Sequence, residues 1–217
     1  MIKIIVACGT AAAALVVPAP PAAAATSSIS LVTAARPISQ IPVELVTANG
    51  SGCPMDSVDA DVLTFGNETF ALTLSPTGSG SDFVARSGGS ASAADSRRNC
   101  QYSLRITPPE GMTYAIAEAD FSGTAALGQD AEAVVRTSYY FQGSSATEAV
   151  SHTFAGPRTG GWQTTDTFEA ASLTWAPCGA QRNLAINSEL RVSSDGTTPS
   201  QISMGPVSVF RIVWKSC

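Results

Sequence analysis

Apolar and polar residues alternate along much of this chain. From Cys100 to Ile106 the alternation is strict, as expected of a half-buried strand, and Pro108, Pro109 and Gly111 then break it. Phe70, Leu72 and Leu74 alternate with Thr69, Ala71 and Thr73. Leu184, Ile186, Leu190 and Val192 share one parity, with Asn187, Glu189 and Arg191 on the other. Residues 133–141 and 207–214 are rich in the β-branched and aromatic residues that strands favour. Between the runs lie Gly-, Ser-, Thr-, Pro- and Asp-rich stretches at 75–80, 88–96, 143–147, 156–161 and 193–200. No long segment has a capped helical period. The pattern predicts an all-β fold: a single-domain, jelly-roll-like antiparallel β-sandwich.

The start of the chain has a different pattern. Lys3 precedes an apolar run over residues 4–17, prolines follow at 18, 20 and 21, and small residues fill 22–25. This is the pattern of a secretory signal peptide at 1–25, cleaved after Ala25. The run is short for a membrane span. Cys8 lies inside it and is read as discarded with the leader. Residues 26–41 form a loose lead-in, and 42–217 one module. The expected product is secreted, extracellular and free of the membrane.

Charge narrows the function. Only 13 % of the 217 residues are charged, and the net charge is −5, or −6 once Lys3 leaves with the leader. An acidic chain without a basic face is a poor match for a nucleic-acid partner.

Beyond the leader stand Cys53, Cys100, Cys178 and Cys217. An even count in an exported chain reads as disulfides. Three pairings exist; Cys53–Cys100 with Cys178–Cys217 is preferred because each closes a loop within one half of the chain. Zinc requires closely spaced ligand pairs, which the spacing does not offer.

Several short motifs recur in order: Gly52-Cys53-Pro54, Arg98-Asn99-Cys100-Gln101, Pro109-x-Gly111, Tyr140-Phe141-x-Gly143, Gly156-Pro157, Trp175-x-Pro177-Cys178-Gly179 and Trp214-x-x-Cys217. Together they resemble the secreted family called domain of unknown function 4360, from about Pro42 to the last cysteine. The resemblance implies secretion, one domain and the four-cysteine frame. It brings no assigned activity and no catalytic residues.

Candidate chemistry is sparse. His152 is the one histidine, and no G-x-S-x-G elbow accompanies it. A base requires an orienting partner, and none is evident in the sequence. Glu118 and Asp120 continue the parity of Tyr114 and Ile116, about 7 Å apart on one strand face. They read as a strand leaving the core or as the acidic end of a cleft. Asp56, Asp59 and Asp61 offer oxygen ligands of the kind calcium takes, although the spacing is not that of an EF-hand. The plain alternative is that Asp59 and Asp61 face solvent. Asn49 and Asn67 begin N-x-S/T sequons. No catalytic residue and no cofactor other than that calcium are assigned.

The leading expectation is a non-enzymatic extracellular binding module, with cell-wall polysaccharide as its target. Trp162, expected in a loop after two glycines, and Tyr139 and Tyr140, on opposite faces of a strand, are the candidate aromatic contacts. The alternatives are an effector or inhibitor that binds a secreted or surface protein, and a hydrolase using acidic residues.

Overall fold

A computed structural model describes residues 40, 42–55, 58–76 and 83–217. Apart from Gln40, the leader at 1–25 and nearly all of the lead-in at 26–41 fall outside the described residues, as do Asp56 and most of the turn at 75–80. Twelve strands are found among them: β1 (Val43–Asn49), β2 (Val58–Phe65), β3 (Thr69–Pro76), β4 (Val84–Ser87), β5 (Arg97–Ile106), β6 (Met112–Leu127), β7 (Glu132–Phe141), β8 (Thr147–Ala155), β9 (Arg158–Thr167), β10 (Leu184–Ser193), β11 (Ser200–Met204) and β12 (Val207–Ser216). Each alternating run in the sequence is one of these strands. A single 3-10 turn, Ala93–Ser96, precedes β5.

The strands form two antiparallel sheets packed as a β-sandwich. One has the order β1-β5-β10-β7-β8; the other runs β2-β3-β12-β6-β11-β4, with β9 also paired to β6. The parities read from the sequence set the packing. Leu184, Ile186, Leu190 and Val192 of β10 point inward with Tyr102, Leu104 and Ile106 of β5. Phe70, Leu72 and Leu74 of β3 meet them from the opposite sheet. Phe70 stacks on Phe210 with centroids 5.0 Å apart, and Phe121 meets Phe210 edge-on at 5.8 Å. Such ring pairs add about 0.5–1.5 kcal/mol beyond the area they bury.

The cysteines pair as Cys53–Cys100 and Cys178–Cys217, with Cα atoms 5.4 and 5.8 Å apart. The first bridge is fully buried and ties the segment after β1 to β5. The second joins the irregular segment between β9 and β10 to the residue after β12. Gly111 and Gly143 have φ of 72° and 82°, the left-handed region that a missing Cβ makes accessible in turns.

Two local expectations differ. Residues 156–161 read as a turn, but the turn is confined to Gly156 and Pro157, and β9 begins at Arg158. In β6 the register against β12 shifts: Arg211 pairs with Glu118, whereas Ile212 pairs with Ile116. Ala117 is therefore the extra residue of a β-bulge, and a bulge reverses the faces beyond it. Tyr114 and Ile116 point into the core, and after the bulge Ala119, Phe121, Ala125 and Leu127 do so. Glu118 and Asp120 are turned outward.

Candidate functional site

Asp166 of β9 is the most deeply buried carboxylate among the described residues, with its side chain 1 % exposed. Its Oδ2 accepts a hydrogen bond from the Tyr139 hydroxyl at 2.6 Å, and its Oδ1 lies 2.6 Å from Nε2 of His152. Tyr139 is on β7 and His152 on β8, so one carboxylate links an edge of the first sheet to an edge of the second. Burial, followed by the Asp166 charge and the bond donated to it, pushes the Tyr139 phenol well above its ordinary value. The phenol thus remains a donor. His152 does have an orienting partner, 14 residues along the chain and across the sandwich. Its Nδ1 meets no hydrogen-bonding group among the described residues. The cluster satisfies a buried carboxylate and clasps two sheet edges.

Glu118 and Asp120 do come together, around Arg211. Arg211 Nη1 bonds Glu118 Oε1 and lies 3.0 Å from Asp120 Oδ2, while Thr165 donates to Asp120 Oδ1 at 2.7 Å. Both carboxylates are matched by a cation on an open face, an arrangement unlike an acid and a nucleophile placed across a bound sugar. Asp59 and Asp61 are exposed on β2, alternating with half-buried Ala60 and Val62, and Asp61 accepts the Val62 N–H at 2.7 Å. Asp56 lies outside the described residues. Among the described residues, no group of three His, Cys, Asp or Glu side chains could hold a metal.

The aromatic candidates separate. Trp162 is not in a loop: it is a β9 residue, only 3 % exposed, and its indole N–H donates to the Thr124 carbonyl at 3.2 Å. Gly160 and Gly161, which suggested a loop, pair with Ala125 and Thr124 in the β6–β9 ladder. Trp162 itself faces Gly123, where a Cβ would stand 2.6 Å from the indole ring. The glycine leaves room for the tryptophan to fold into the core, and its ring faces are not open to a sugar. Tyr139 is buried as well, at 3 %. Tyr140 alone is partly accessible, half-buried on the outer face of the five-stranded sheet.

Strand register defines that face. Tyr140 neighbours Ala185, which neighbours Ser103; the next row is Ser138, Asn187 and Gln101. The row beyond is Arg136, Glu189 and Asn99, followed by Val134, Arg191 and Arg97. Asn187 Oδ1 is buried and meets no donor among the described residues. Glu189 is 5 % exposed and held by Arg97 through Nε at 2.7 Å, and by Arg191 through Nε. The alternation in the sequence places Asn187, Glu189 and Arg191 on the polar parity of one strand and Gln101 and Ser103 on that of another. It did not show that three strands bring them to one surface, because strand order is not contained in period-two patterning.

A secreted setting agrees with two further findings. Both cysteine pairs are oxidised, and a protein of Arthroderma benhamiae described as an uncharacterized secreted protein is 26 % identical over 178 residues, covering 79 % of this chain and 70 % of that protein. No helix among the described residues is long and apolar enough to cross a membrane. A family model matches residues 39–217, all twelve strands and both disulfides, and by that match the chain belongs to the family described as Domain of unknown function (DUF4360).

Proposed function

We propose that this protein is a non-enzymatic extracellular module that binds polysaccharide on the outer face of its five-stranded sheet. The observation that carries this reading is the composition of the face around Tyr140. The half-buried ring stands beside a row of Ser138, Asn187 and Gln101, with Ser103 two strands away in its own row. Amides and hydroxyls both donate and accept, which matches the hydroxyls of a sugar. A tyrosine ring offers an apolar surface to a pyranose while its hydroxyl remains solvated. A sheet places these groups on a rigid, extended lattice, suited to a chain ligand.

The test is retention of the oxidised chain on insoluble cell-wall polysaccharides, with and without chelator. Wild type is expected to be retained, and Tyr140→Ala to lose most of that retention at an unchanged melting temperature. Equal retention of the variant would remove Tyr140 from the site. No retention of wild type on any polymer would overturn the reading. Loss of retention with chelator would restore a role for calcium at Asp56, Asp59 and Asp61.

A second reading, a protein partner, draws on a different surface. Leu63 and Phe65 of β2 and Val207 of β12 are 48 %, 57 % and 43 % exposed on the outer face of the other sheet. Apolar groups gathered in this way mark protein contacts when the patch is large enough.

A further inference from the structure

We propose that Arg97, Arg136 and Arg191, arranged around Glu189, form an anion subsite that takes the carboxylate of a uronic acid within the bound polysaccharide. The proposal rests on the reading of this face as a polysaccharide site, and it names the class of polymer.

Arg97 and Arg191 are directly opposite in the β5–β10 ladder. Like charges in that position repel. Glu189 lies beneath both, its side chain 6 % exposed, while those of Arg97 and Arg191 are 62 % and 55 % exposed. A submerged carboxylate thus holds two guanidinium groups outward in fixed poses. It bonds Arg191 through Nε and Arg97 through Nε and Nη2, and both arginines keep more than half of their side-chain surface exposed. Arg136, opposite Glu189 on β7, is exposed and makes no hydrogen bond or ion pair among the described residues.

The charge balance points the same way. Three arginines face one carboxylate at the centre of the patch. Glu132, which pairs with Ser193 at the far end of β7, borders the depression formed with Ser96, Arg97, Val134 and Arg191, and Asp95, next to Ser96, is paired with Arg98. Even with Glu132 counted, this patch stays positive on a protein whose net charge is −5. A pre-oriented guanidinium fork is the side chain best matched to a carboxylate. Adjacent strands stand about 4.8 Å apart, close to the advance of one pyranose ring along an extended polysaccharide. Arg97, Arg191 and Arg136 on β5, β10 and β7 can therefore meet a polymer laid across the strands.

The experiment measures affinity of the oxidised chain, in chelator, for polygalacturonate, its fully methyl-esterified form and dextran sulfate. Wild type is expected to prefer polygalacturonate over the ester by about tenfold or more, the worth of one charge-assisted bond. Arg136→Gln is expected to abolish that ratio at an unchanged melting temperature, and Arg136→Lys to restore part of it. An unchanged ratio in Arg136→Gln, or equal affinity of wild type for the ester, would overturn the anion subsite while leaving polysaccharide binding intact. Binding of dextran sulfate as tight as that of polygalacturonate would overturn the carboxylate assignment in favour of bulk charge attraction. Absence of binding to every polymer, neutral glucans included, would overturn the polysaccharide reading itself.

Discussion

At the scale of single residues, the Tyr139–Asp166–His152 cluster gives the most specific prediction, because one donor satisfies one buried oxygen. Asp166 is inside the sandwich, and among the described residues one of its oxygens is satisfied by the Tyr139 hydroxyl alone. Tyr139→Phe removes that donor and leaves a buried carboxylate oxygen unmatched. The expected loss is about 2 kcal/mol, which for a chain of this length lowers the melting temperature by roughly 4–8 °C. Calorimetry of the variant checks this, and a change within error would mean that water replaces the hydroxyl. The cluster was illegible in the sequence, because inter-sheet neighbours leave no periodic signal. Trp162 departs from the loop expected of it for a related reason. Two adjacent glycines suggest a loop, but here they lie within a strand, and a third glycine opposite makes space for the indole.

At the scale of elements, the alternating runs predicted strands well because each has one face in the core. The interruption in β6 was not visible. One extra residue at Ala117 inverts the faces that follow, so Glu118 and Asp120, read as continuing the buried parity, stand outside with Arg211. The disulfides were legible from spacing and compartment together. The Cys178–Cys217 bridge closes a separation of 39 residues and fixes the long irregular segment before β10 to the end of β12. A Cys178→Ser/Cys217→Ser double variant is expected to lose about 4 kcal/mol by loop-closure entropy, a fall of roughly 8–16 °C in melting temperature. Thermal unfolding of the double variant beside wild type measures it.

At the scale of the whole molecule, three tyrosines set the alkaline limit. Burial raises the phenols of Tyr102, Tyr114 and Tyr139 above their ordinary value of 10.0. Above about pH 10 the unfolded chain releases these protons and the folded chain retains them, so the unfolded state gains stability as pH rises. Each tyrosine contributes a slope of up to about 1.4 kcal/mol per pH unit, or about 4 kcal/mol per unit for the three. The expected result is a steep, cooperative alkaline transition, with tyrosinate absorbance appearing together with loss of structure. Absorbance from these three appearing before unfolding would contradict their burial.

The strand order also governs when folding can finish. The chain passes between sheets at β1–β2, β4–β5, β5–β6, β6–β7, β8–β9, β9–β10 and β10–β11. β10 fills the gap between β5 and β7, and β12 the gap between β3 and β6. Neither sheet is continuous until its late strand arrives, and pairings this distant form slowly, on a millisecond-to-second scale. A chain emerging from its N-terminus therefore has no complete sheet to close early. Such a chain can set its structure only once nearly all of it is present, and loss of β12 alone would leave the second sheet split in two.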